Sequence, residues 1–270
     1  SEQQFTSKVD QFFKNHRIAS LLKRSNFVKE SGFTCLELFK FLFLLVFSHK
    51  NLYQMLQKKY AGEHPCKDAV YRFLHSSRYN WRKFLLLLSS SLIQSRLEPL
   101  TSQDRENVLI VDDSLFSRGR SKKVELLASV HDHTTGKYVR GFRMLTVGWS
   151  DGNSFVPMLF SMLSSSKEKN RLAAMRTDLD KRTNGYKRRQ ESMKKSPDVL
   201  VELVKAAIAA DSKARYLLFD SWFAFPVTIR RIHALGMHTI CMLKDSKTRY
   251  TFQGDCMTLK ELFNWVRKRP

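Results

Sequence analysis

Two short stretches carry the residues best suited to chemistry. In the first, residues 107–118, four consecutive apolar residues (Val108, Leu109, Ile110 and Val111) run into Asp112, Asp113 and Ser114. Three of the four are β-branched, and the run is too short for a helix face and does not alternate, as expected of a strand covered on both sides. The second, residues 215–219, is another short apolar run; it ends in Asp220 and is followed by Ser221, Trp222 and Phe223. A carboxylate at the end of a central strand is held by the sheet yet open to a crevice, where open α/β sheets keep their ligands. Adjacent strand residues point to opposite faces, so Asp112 and Asp113 cannot both serve one site. For an isolated Asp-Asp-Ser, capping of a turn is the ordinary alternative. If the two strands are neighbours, however, their acids converge, and a converging carboxylate pair calls for a cation between them. Hard oxygen ligands suit Mg²⁺, with Mn²⁺ as the alternative.

The elements that must position these acids can be read from periodicity and punctuation. The 270 residues suffice for one large domain or two modest ones. From residue 5 to about residue 98 the pattern is helical, with helices expected over 5–14, 34–48, 51–60, 67–75 and 80–96 and breaks at Gly32, Gly62 and Pro65. Residues 52–75 contain a candidate helix-turn-helix that would set Lys67, Arg72 and Arg78 along a DNA-facing side, with Tyr71 and Phe73 available for packing. An ordinary pair of bundle helices is the plainer alternative. The polar stretch 99–106 marks a boundary. Beyond the first acidic strand, strands are expected over 122–131, 138–149 and 152–163, the first two joined by a turn at 132–137. A helix over 197–210 follows, with Ser196 as N-cap and Pro197 at the first helical position. After the second acidic strand come a helix over 226–235 ended by Gly236, a strand over 237–243, and an amphipathic helix over 258–268.

Charge narrows the partners. There are 47 Lys and Arg against 25 Asp and Glu, a net charge of +22, with 43% hydrophobic residues. This is a folded protein and not a basic tail. Its surface favours polyanions, nucleic acid first and an anionic membrane surface second. Residues 164–196 hold eleven bases against four acids, a net +7. Such a run reads as a solvated mobile loop. Lying between the two acidic strands, it would also overhang their site, bringing Lys181, Arg182, Lys187, Arg188 and Arg189 to phosphates. The four cysteines follow no metal-binding spacing, which suits a reducing compartment. Residues 33–47 are the most apolar segment, but they carry Glu37 and Lys40 and fall short of the about 20 residues a bilayer requires. They read as a core helix, with no membrane span. His131 and His133 flank Asp132 at a spacing that can hold a transition metal, although a polar turn is the commoner explanation.

Several motifs resemble a known family. They are Asp112-Asp113-Ser114-Leu115-Phe116-Ser117-Arg118, the following Ser121-Lys122-Lys123-Val124-Glu125-Leu126-Leu127, the Asp132-His133 turn, Gly141-Phe142-Arg143-Met144-Leu145, and Gly148-Trp149-Ser150-Asp151-Gly152-Asn153-Ser154-Phe155. Together they resemble the catalytic domain of bacterial insertion-sequence DDE transposases, in the subgroup whose glutamate lies in a Y-x₂-R-x₃-E-x₆-K motif. The succession of three strands, helix, strand, helix, strand and helix resembles the ribonuclease H-like fold. The resemblance implies a mixed α/β protein: residues 1–100 as an all-helical DNA-binding domain, and residues 101–270 as a ribonuclease H-like catalytic domain incomplete at its C-terminus. It implies catalytic, metal-holding roles for Asp113, because the family's first aspartate precedes Ser or Thr, and for Asp220. Two Mg²⁺ ions would serve cut-and-paste transposition of double-stranded DNA, with Lys67, Arg72, Arg118, Arg120, Lys122 and the bases of 164–196 on phosphates. A homodimer on DNA and a location at the bacterial nucleoid, in the cytoplasm, go with it. Trp222 reads as core more readily than as a surface for a displaced base. The family's glutamate motif does not occur in the 270 residues, and Glu261, the one late glutamate, reads as an exposed helix residue. A C-terminally truncated transposase is therefore expected. A non-catalytic DNA-binding remnant that inhibits the intact enzyme, and a metal-dependent nuclease of the same fold, are the alternatives.

Overall fold

The computed structural model describes residues 2–47, 51–57, 65–102, 104–132 and 134–268. Its helical first part comprises α1 (Glu2–Asn15), α2 (Ile18–Arg24), α3 (Cys35–Phe47), α4 (Leu52–Gln57), α5 (Lys67–His75) and α6 (Trp81–Leu92). Beyond Leu92 the last helix continues as a π-helical turn, Ile93–Leu97, and a 3₁₀ turn, Glu98–Leu100. Helical spacing brings Phe13, Leu22, Leu38, Val70, Phe73 and Phe84 into one buried cluster. Helix α2 was not among the sequence expectations. Arg17, in the left-handed conformation at φ 49°, separates it from α1 without any glycine or proline to announce the break. The turn of the expected helix-turn-helix, residues 58–64, lies outside the described residues. Of its side chains, Phe73 is core, and Lys67, Arg72 and Arg78 are exposed.

The remainder is built on a mixed sheet. Its first strands are β1 (Val108–Ser117), β2 (Ala128–His131), β3 (Tyr138–Ser150) and β4 (Phe155–Leu163). Then come α7 (Asn184–Ser192), α8 (Ser196–Ala209), β5 (Tyr216–Phe219), α9 (Pro226–His233) and β6 (His238–Cys241). A separate hairpin of β7 (Arg249–Phe252) and β8 (Asp255–Thr258) leads into α10 (Leu259–Arg267). Strand β3 is antiparallel to β1 on one side and to β2 and β4 on the other, while β1, β5 and β6 run parallel. This mixed α/β arrangement agrees with a ribonuclease H-like domain. Helix α8 lays Val199, Leu200, Leu203, Val204 and Ala207 on the sheet face formed by Leu109, Val111, Leu145, Val147 and Leu217. Each fully buried Leu or Val there contributes about 1.5–3 kcal/mol. Ile93 joins the same core, so the end of α6 seats the helical part on the sheet. Two glycines permit close strand approach. A Cβ on Gly141 would strike the Phe116 carbonyl oxygen, and one on Gly148 the Phe155 ring.

Three local expectations are corrected. Residues 122–127 are irregular and only Ala128–His131 is a strand, because Leu126 turns through φ 58° to pack with Leu127 and Phe142. The charged run 164–196 is not a loose loop. It contains a 3₁₀ turn, Glu168–Asn170, and helix α7, which is tied down by the buried Glu191. Ser196 is the first residue of α8 and not its cap; Lys195 precedes it with no side-chain cap bond.

Candidate active site

Strand β1 pairs with β3 along its ten residues, but β5 borders only Val108, Leu109 and Ile110. Past Ile110 the strand runs on without pairing to its parallel neighbour. Asp112 and Asp113 therefore lie within β1 and not at its end, which corrects the expectation; the strand that ends is β5, at Phe219. Alternation then separates the two acids. Asp113 shares the inward face of Leu109 and Val111, with its side chain 6% exposed, while Asp112 is exposed.

Each carboxylate has a distinct setting. Asp113 Oδ2 accepts from Arg143 Nε at 2.8 Å. Arg143 stands opposite Leu115, diagonal to Asp113 on the same face, and its Nη1 also donates to the His131 carbonyl at 3.1 Å. Asp112 Oδ2 accepts from Ser114 Oγ at 2.6 Å. Asp220, the residue after β5, is exposed, and its carboxylate folds back on the Trp222 backbone N–H. Carrying the parallel pairing two residues beyond Ile110 and Leu218 sets Asp112 level with Asp220. From the other face, the Arg143 guanidinium lies 5.8 Å from the Trp222 ring centroid, and Lys244 Nζ lies 5.1 Å from the same centroid. Arg143 thus connects Asp113 to the turn that carries Asp220. Trp222 is 41% exposed, so it is not the core filler expected.

The oxygen donors of these acids fit a hard divalent cation. Arg143 already neutralises Asp113, so a cation there has to share or displace the guanidinium. Among the described residues no three His, Cys, Asp or Glu side chains form a metal-sized cluster. Glu261 forms a capping box with Thr258 at the start of α10, and the Thr258 N–H holds its carboxyl below the usual glutamate range. His131 packs edge-on against Tyr138. His133, and with it the expected histidine pair, lies outside the described residues.

The basic residues divide into displayed and engaged ones. Arg118, over the Phe116 ring at 4.5 Å, is exposed together with Arg120 and Lys122 in the segment after β1. Lys181 and Lys187 are exposed, and Arg182 pairs with Asp180 at 3.0 Å. Arg188 binds Glu191 at 2.6 Å, and Arg189 binds Glu125 at 2.7 Å. On α5, Lys67 is exposed and Arg72 Nε donates to the Asp68 carbonyl at 3.2 Å. The sequence reading missed Arg143, Lys244, and the pair of Arg82 with Glu191. Arg143 had a signal, since it falls on the inward parity of a strand whose next such positions are Leu145 and Val147. A charge there requires a partner.

No described helix is long and apolar enough to cross a membrane. None of the curated proteins matches the chain. A profile of the family described as DDE superfamily endonuclease matches residues 35–255, from the first residue of α3 to the first of β8. That span encloses Asp112, Asp113, Arg143 and Asp220, and it covers most of the chain. The protein accordingly belongs to the DDE superfamily endonucleases, a family of nuclease and transposase-like enzymes that act on DNA and generally use divalent metal ions.

Proposed function

We propose that this DDE endonuclease is an insertion-sequence transposase, which binds transposon ends in double-stranded DNA and cleaves and rejoins phosphodiesters there. The observation that carries this reading is the chain of contacts at the end of β5, where Asp113 is linked through Arg143 to the Trp222 turn that follows Asp220. Asp113 and Asp220 are the candidate metal-holding pair. When bound, two Mg²⁺ or Mn²⁺ ions supply activation of the attacking oxygen and charge neutralisation at the leaving oxygen. Arg143 orients the Asp113 carboxylate and offsets its charge. Arg118, Arg120, Lys122, Lys181 and Lys187 hold the duplex by its phosphates, with Lys67 and Arg72 on the α5 side. The reading also requires a third carboxylate, which the described residues do not bring beside the other two. A second assignment has one observation in its favour: Asp112 is exposed and level with Asp220, so it competes with Asp113 for the metal-holding role.

The test is incubation with Mg²⁺ or Mn²⁺ and a duplex taken from the DNA that borders the protein's own gene. Asp113→Asn and Asp220→Asn are each expected to lower strand cleavage by about two orders of magnitude or more. Loss in Asp112→Asn with Asp113→Asn still active moves the role to Asp112. Retarded mobility without cleavage supports a non-catalytic DNA-binding remnant, and nicked products never joined to target support a nuclease.

A further inference from the structure

Past the ends of β5 and β6 stands a lysine that pairs with no acid. The two strands are parallel, with Phe219 level with Cys241. Carried beyond the strand ends, that register sets Met242 level with Asp220 and Lys244 level with Trp222. The side chains agree with it: Lys244 Nζ lies 5.1 Å from the Trp222 ring centroid. This is within the about 6 Å over which an ammonium is attracted to an indole face. Trp222 is fixed in turn by its backbone N–H, which donates to the Asp220 carboxylate. Asp220, Trp222 and Lys244 thus form one connected unit at the carboxyl ends of two parallel strands, where α/β sheets bind ligands.

The two cations that share the Trp222 ring are committed differently. Arg143, 5.8 Å from the centroid, has its charge taken up by Asp113 at 2.8 Å. Lys244 is exposed, and among the described residues it forms no ion pair. An aromatic face holds a cation without neutralising it, so the ammonium keeps its full charge for an anion arriving from solution. One strand spacing, about 5 Å, separates the backbone of β6 from that of β5, which carries Asp220 at its end. We propose that Lys244 is a catalytic residue of this endonuclease: it meets a non-bridging oxygen of the phosphodiester being cleaved, with Trp222 as the residue that positions it. This rests on the DNA-cleaving reading above and adds to it a cation on the substrate side of the carboxylates. A positioned cation aimed at charge that develops during reaction lowers the barrier, whereas bases dispersed over the surface chiefly raise affinity.

The test has two readouts. In cleavage assays with Mg²⁺, Lys244→Ala is expected to lower kcat about a hundredfold and to change KM about twofold or less, because other bases supply most of the affinity. Lys244→Arg should recover most of the loss. Trp222→Leu should fall with Lys244→Ala, and Trp222→Phe, which still presents a ring, should stay near the wild type. Trp222 also meets Arg143, so the double variant Trp222→Leu/Lys244→Ala isolates the effect that passes through the lysine; it should be no slower than Trp222→Leu alone. The second readout is binding, with Ca²⁺ in place of Mg²⁺, of a duplex whose cleaved phosphate is replaced by an uncharged methylphosphonate. That replacement should weaken the wild type about tenfold and leave Lys244→Ala unaffected. A raised KM and a shallower salt slope with kcat intact make Lys244 an ordinary backbone contact and overturn the proposal. So does full activity in Lys244→Ala, or an equal methylphosphonate penalty in both proteins. These outcomes leave wild-type cleavage standing, whereas a wild type that cleaves nothing removes the DNA-cleaving reading and this assignment together.

Discussion

Arg143 carries a full positive charge into a sheet face otherwise built of Leu109, Val111, Leu145 and Val147. Its side chain is 18% exposed and that of Asp113 6%, so both ions have given up most of their water and depend on each other. Removing one member of such a pair costs about 3–5 kcal/mol, because the other is left charged in a dry setting. Arg143→Gln should therefore lower stability by about that amount in urea denaturation with chelator present. If Asp113 holds the metal, Mn²⁺ should restore part of the loss in Arg143→Gln and none in the double variant Arg143→Gln/Asp113→Asn.

Glu191 ties three elements together. It accepts from Arg82 of α6, from Arg188 within α7 and from Ser161 of β4. Glu191→Ala should destabilise the protein by about 3–5 kcal/mol in thermal or urea melts, whereas replacing both members, Arg82→Met with Glu191→Leu, should cost much less. This element also marks where sequence reasoning stops. Strands β1, β3 and β4 and helices α8, α9 and α10 were legible because hydrophobic period, Pro197 and Gly236 declare them locally. The charged run around α7 was misread because its organising residue answers to Arg82, far away in the chain, and local composition is silent about such a partner. For the acids, alternation showed that Asp112 and Asp113 must part. Which one turns inward follows from which face α8 covers, and periodicity does not contain that.

Across the whole molecule, the net charge of +22 sets how it meets DNA. Each phosphate neutralised by Lys or Arg steepens the fall of log K with log salt by about 0.9. Lys181→Ala with Lys187→Ala should therefore reduce that slope by about 2, read from binding isotherms at several salt concentrations, and should do so equally for unrelated sequences. The helical part and the sheet share core, since Ile93 belongs to the sheet core although it continues a helix of the first part. The alternating acids of β1 give strand alignment a chemical meaning. An offset of one residue against β3 would exchange them, sending Asp112 into the dry interior and Asp113 out to water. Gly141 under the Phe116 carbonyl is fitted to one alignment of β1 with β3. The backbone clearance at one glycine, with no charge of its own, thereby helps decide which carboxylate meets solvent and which is held inside by Arg143.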